Sequence, residues 1–176
     1  ALRALREHAA ASKISAEVWF YFVDNDERRI RHLRGLVEEA WPARPVNVRV
    51  EYAVGRFDET ITTGLDDVAS VGKQLAPTFL MVDPFGISDT PMSVIERFLR
   101  NDKCEVYISF MWEYVNRFKG TPEFEPHLDA MFGALEWRDG IDIAETEARK
   151  AFLFDLYKRQ LRKAGAKFVL HFELYQ

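Results

Sequence analysis

The chain has 176 residues, a formal net charge of -4, 48% apolar residues and 30% charged ones. This is the composition of one domain that can bury its own core, neither disordered nor membrane-like, and it excludes coating of nucleic acid through the overall field while leaving a local basic patch open. Cys104 is the only cysteine, which excludes an internal disulfide and a cysteine-based zinc cluster and fits a reducing, cytoplasmic compartment.

Residues 1–12 read as a helix with Leu2, Leu5 and Ala9 on one face. They carry charge throughout, unlike a signal peptide, and they start as though already inside a helix. The reading therefore expects a fragment, or the ordered part of a longer protein. Val18 to Val23 is a continuous apolar run rich in aromatic and β-branched residues, the pattern of a strand covered on both faces. Asp24-Asn25-Asp26-Glu27 stops it and opens a helix to about Ala40, with Ile30, Leu33, Leu36 and Val37 as its stripe. Val46 to Tyr52 alternates as a strand and ends at Gly55. A weaker helical pattern covers 58–75. Thr78 to Val82 is a second buried strand, ended by Asp83-Pro84.

Met92, Ile95, Phe98 and Leu99 mark another helix, and Glu105 to Phe110 another strand. Short helices follow over 111–118 and 126–135, then a long one from Glu145 to Ala164 that stops at Gly165. Lys167 to Leu174 alternates as a final strand. Strands and helices in this order imply a mainly parallel sheet. No apolar run reaches the roughly 18 residues of a transmembrane helix.

In open α/β sheets, ligands bind beyond the carboxyl ends of the strands, so the residues there are the candidates. Asp24 can accept two hydrogen bonds from a ribose diol; equally, Asp24 or Asn25 can cap the helix that follows. Gly55-Arg56-Phe57 can flank an adenine, or can be a turn with Phe57 in the core. Asp83-Pro84-Phe85-Gly86 is sharper. Proline fixes φ, glycine permits an unusual backbone, and the turn presents a carboxylate and an aromatic ring. Such a turn suits a target amine, though an Asp-Pro turn initiator needs no ligand. His8, His32, His127 and His171 show no metal-ligand spacing, and no dinucleotide or phosphate loop is present. Lys158, Arg159, Arg162 and Lys163 read as a solvated helix face.

The segment Pro77 to Gly86 resembles the signature of the three-Cys-motif partner family. Pro91, Ile95, Phe110-Met111 and Asn116-Arg117-Phe118 follow in that family's order. Tyr21 to Arg28 is similar to its second strand and following helix, and Phe132-Gly133, Trp137 and Tyr157 to Leu161 also fit. The resemblance implies a Rossmann-like, class I methyltransferase-type three-layer sandwich with S-adenosylmethionine as cofactor. Asp24, Asn25, Arg56 and Phe57 would then hold the cofactor, and Asp83, Pro84, Phe85 and Gly86 would form the catalytic turn. The family's first strand, with its glycine-rich turn, is not found in these residues, and the turn at Asp83 has one proline where amino-methyltransferases usually have two. The expected activity is methyl transfer to an amine of a nucleic acid or protein. The alternative is a non-catalytic module that docks a protein partner, with the aromatic corner at Trp112 and Tyr114 as its face.

Overall fold

A computed structural model of the chain describes residues 2–9, 11–88 and 90–173. It is a mixed α/β structure that clusters into two compact units, Ala1–Thr60 and Ile61–Gln176. Each is considered separately.

In the first unit, α1 (Leu2–Glu7) and a short 3-10 turn (Ala11–Lys13) precede β1 (Val18–Asp24), α2 (Glu27–Ala40) and β2 (Val48–Val54). The β1 and β2 strands pair in parallel, from Val18 opposite Val48 to Asp24 opposite Val54. Helix α2 forms where the sequence places a cap and an apolar stripe. The Asp26 carboxylate accepts the Arg28 N–H at the first turn, and Arg31 pairs with Glu27 four residues earlier. Ile30 and Val37 are the buried side of that helix. The Trp41 N–H closes it on the Val37 carbonyl.

The second unit begins within α3 (Phe57–Ser70) and continues through β3 (Thr78–Val82), α4 (Met92–Leu99) and β4 (Cys104–Ile108). Here β3 and β4 are parallel, from Thr78 opposite Cys104 to Val82 opposite Ile108. The short helices α5 (Trp112–Phe118), α6 (Glu125–Phe132) and α7 (Trp137–Ile141) lead to the long α8 (Thr146–Lys163). Its core holds Ile95, Val115, Leu128, Phe132, Trp137, Leu153 and Leu156, all essentially out of water. Each such side chain contributes roughly 1.5–3 kcal/mol relative to exposure. The buried Arg149 guanidinium ties α8 to its surroundings: it donates to Asn116 Oδ1 (3.1 Å), the Ile143 carbonyl (2.6 Å) and Thr146 Oγ1 (3.3 Å). The Glu145 carboxylate caps α8 by accepting from the Glu147 and Ala148 amides, which holds its carboxyl below the usual range.

Several expectations change. The parallel strands form two two-stranded sheets, not one continuous sheet: among the described residues each strand pairs along one edge only. The strands read as covered on both faces are covered on one. Trp19 of β1 is 59% exposed and Phe79 of β3 is 64% exposed, with Tyr21 and Met81 beside them. Helix α2 packs on the first sheet and α4 against β4 in the second. The predicted final strand is absent over 167–173, although the alternation is real: Phe168, Leu170 and Phe172 are all exposed. A strand needs a neighbour to take its backbone hydrogen bonds; the ties seen for this segment run through side chains, Phe172 to Tyr107, His171 to Phe154 and Glu173 to Lys150. Leu174 lies outside the described residues. The opening helix is shorter than 1–12, ending at Glu7. No helix among the described residues is long and apolar enough to cross a membrane.

Candidate functional site

Because β1 and β2 run in register, their carboxyl ends bring four predicted residues to one edge of the first unit: Asp24, Asn25, Arg56 and Phe57. The Gly55 N–H donates to the Asp24 carbonyl at 3.1 Å and fastens the two ends. A side chain at Gly55 would meet Thr60 Oγ1 at 2.9 Å, so a bare backbone suits this approach. Asp24 is occupied by its own turn. One carboxylate oxygen accepts the Asp26 N–H at 2.8 Å, and the other faces Arg29 Nη1 at 3.3 Å. The helix cap is Asp26, rather than Asp24 or Asn25, and Asp24 supports that cap from behind. The Arg28 amide and guanidinium hold the Asp26 carboxyl below its usual range. Arg56 folds onto Asp58 (3.2 Å) and Glu59 (3.5 Å), Phe57 is half-buried at the start of α3, and Asn25 is exposed.

The second unit's strand ends differ. Asp83 directly follows β3, is exposed, and makes no hydrogen bond or ion pair among the described residues. Pro84 is half-buried, Phe85 is 84% exposed, and Gly86 is buried at φ +120°. A Cβ at Gly86 would sit 3.9 Å from the Tyr114 ring, an ordinary contact, so the glycine is required by its backbone angle and not by lack of room. Ile87 is buried and anchors the turn. From β4, the Ser109 N–H bonds the Val82 carbonyl at 2.9 Å, continuing the pairing past the strand ends. Phe110 then packs its ring on Phe154 (4.7 Å), Tyr157 (5.0 Å) and Phe132 (6.2 Å).

Between the turn after β3 and the segment after β4 lies a cavity of about 250 Å³ including its open mouth, of which about 10 Å³ can admit a body as wide as water. Pro84, Gly86, Ile87 and Thr90 form one side, Ile108 to Met111 the other, with Met131 of α6 and Tyr157 of α8 closing it. Thr90 is only 4% exposed, and its hydroxyl has no hydrogen-bond partner among the described residues. Burial raises the Tyr157 phenol well above its ordinary value. The sequence reading missed Thr90, Met131 and Tyr157 as site residues: a threonine before a proline reads as a turn, and the other two read as core.

The remaining chemistry is sparse. Burial pushes the Cys104 thiol up, away from the reactive thiolate. No group of three metal-ligating side chains occurs among the described residues. Lys158 pairs with Asp155 at 2.6 Å, and Arg159, Arg162 and Lys163 lie on the exposed face of α8.

Comparison with family models, with curated proteins and with solved structures returns no match.

Proposed function

We propose that this chain is a Rossmann-like methyltransferase domain of the three-Cys-motif partner type, acting in the cytoplasm on an amine of a nucleic acid or protein and using S-adenosylmethionine. The observation that carries the reading is the exposed Asp83 carboxylate, which meets no partner among the described residues and stands at a strand end in a turn whose glycine has a backbone angle few other residues adopt. Such a carboxylate, beside a cavity at the carboxyl ends of parallel strands, is placed to accept hydrogen bonds from a ligand. The sequence resemblance over Pro77 to Gly86 supports the same assignment.

The first unit fits the ribose half of the cofactor. A carboxylate offers about four acceptor positions, and Asp24 has two of them engaged. Asn25 and Phe57 stand at the same strand ends. No glycine-rich turn between a strand and a helix is found among the described residues to fit the methionine half. When bound, S-adenosylmethionine would supply an electrophilic methyl group. Each unit's own part would be to orient: in the first, Asp24 would hold a diol; in the second, Asp83 would accept from an acceptor amine beside the exposed ring of Phe85, chemistry that rests on positioning.

Calorimetry with S-adenosylmethionine tests this. Binding is expected, weakened about tenfold or more in Asp24→Ala, a loss of roughly 1.4 kcal/mol. Asp24→Asn, which keeps an acceptor for the Asp26 amide, separates loss of binding from loss of folding. No binding, or binding unchanged from wild type in both variants, overturns the reading.

A non-catalytic docking module is the second reading, and the open strand faces favour it. Trp19 and Tyr21 in the first unit, and Phe79 and Met81 in the second, are neighbours on one face of their strand and are each more than half exposed. A stoichiometric partner that protects these four residues from oxidative footprinting, with no affinity for S-adenosylmethionine, would select it.

A further inference from the structure

The alternating segment 167–173 is tied to the second unit chiefly through every second side chain. Glu173 meets Lys150 at 2.8 Å, the His171 ring lies 4.5 Å from that of Phe154, and Val169 is half-buried. The residues that alternate with these are the open ones. Phe168 is 89% exposed and Leu170 91%, and Phe172 stays more than half exposed although its ring reaches Tyr107 at 5.9 Å. No backbone-to-backbone hydrogen bond involves residues 167–172 among the described residues. The segment thus has the alternation and the side-chain anchorage of a strand and lacks only the neighbour.

The order Lys167-Phe168-Val169-Leu170-His171-Phe172-Glu173 is complementary to itself when turned end for end. Laid antiparallel to a second copy about Leu170, Leu170 faces Leu170, Phe168 faces Phe172, Val169 faces His171, and Lys167 faces Glu173 at both ends. Lys167 has no ion pair among the described residues. Glu173 holds Lys150 and, as a carboxylate, can accept from a second ammonium as well. The same charges reject the alternative: an in-register parallel pair would set Lys167 against Lys167 and Glu173 against Glu173, which is unfavourable.

We propose that residues 167–173 are the edge through which two copies of this chain pair, antiparallel about Leu170. The contact is isologous, so it closes at two copies. The row Phe168, Leu170, Phe172 of one copy then lies beside the same row of the other, which shields part of an exposed apolar surface. The inward ties to Lys150 and Phe154 are kept, because pairing uses the backbone edge. The proposal does not rest on the proposed function.

Sedimentation of the full chain is expected to show a monomer–dimer equilibrium at concentrations up to millimolar. Lys167→Glu places two acids at each end of the pair and Glu173→Lys two bases, and each alone should weaken dimerisation about tenfold. Mixed in equal amounts, the two variants set acid against base at both ends again, and the mixed dimer should regain the wild-type affinity. Glu173→Lys also gives up its own tie to Lys150, so circular dichroism confirms folding before mixing, and the mixture carries the test. A disulfide reads the register. In a Cys104→Ser background, Leu170→Cys should cross-link with oxidised glutathione, since facing Cα atoms lie about 4.5–5.5 Å apart. Phe168→Cys should not, because its counterpart lies four residues along the strand, about 13 Å away. A chain that stays monomeric overturns the proposal, whether or not the segment binds another protein or a lipid vesicle. Undiminished dimerisation of Lys167→Glu, a mixture no tighter than its components, or equal cross-linking at positions 168 and 170 overturns it too.

Discussion

At the carboxyl end of β1, Asp24 accepts the Asp26 amide and faces Arg29, whereas at the carboxyl end of β3, Asp83 meets no partner among the described residues. Each acid closes a strand that pairs in parallel with the next. The backbones around them differ too. Gly55, beside Asp24, avoids a clash with the end of a threonine side chain, while Gly86, after Asp83, is held at an angle that side chains rarely adopt. An acid that braces its own turn reports on folding when it is mutated. A free acid in a stiff turn reports on ligands.

The largest expected effect tests the stiffness. Gly86→Ala has room for its methyl but must adopt φ +120°, and should cost about 1–3 kcal/mol. At roughly 2–4 °C per kcal/mol for a chain of this size, thermal melting will see it. Gly55→Ala needs only a rotation of Thr60 and should cost less. If the two alanine variants melt together, the contrast between the turns fails.

The acids come next. Asp24→Ala leaves the Asp26 amide and Arg29 without their acceptor, and should cost about 1 kcal/mol. Asp83→Asn should stay within about 0.5 kcal/mol of the wild type, as exposed positions without partners do. A destabilised Asp83→Asn would mean that its carboxylate supports the turn after all.

The smallest effect is a pH dependence confined to the first unit. The folded Asp26 carboxyl is lowered, first by the Arg28 amide, so its contribution to capping α2 is complete above the ordinary carboxyl range near pH 4 and is lost as the pH falls through the lower folded value. Acid titration of helix content should show Asp26→Ala less stable than wild type at neutral pH, with the gap closing as the pH falls below the ordinary carboxyl range. A gap that persists in acid would assign the capping to something other than the carboxylate.

Much of this fold can be read from local pattern. Strand β3 spans Thr78 to Val82 as expected, β1 extends the expected run by only Asp24, and α8 lies within one residue of its predicted ends. These segments combine clear apolar runs with proline, glycine or acidic stops. The failures share a cause as well. Alternation in 167–173 states which residues would share a face, but not which strand would accept their hydrogen bonds, and pairing is a non-local property. The apolar runs of β1 and β3 say that both faces can tolerate burial, not that a layer covers them. At the candidate sites, grouping at strand ends was legible for Asp24, Arg56 and Phe57 from the order of elements. That Asp24 would be held by Arg29, and Asp83 by no partner among the described residues, was not, because it depends on where side chains five or more residues apart come to rest.

The Trp137 indole is 1% exposed and donates to Asp129 at 2.8 Å, while Trp19 stands on an open strand face. One chromophore therefore emits from a dry, fixed environment in the second unit and another from contact with solvent in the first. Iodide or acrylamide in the buffer quenches the second of these signals and spares the first. Trp41 and Trp112 emit as well, so with both replaced by phenylalanine the chain would carry one optical label in each unit, through which unfolding or ligand arrival can be followed separately without attaching a dye.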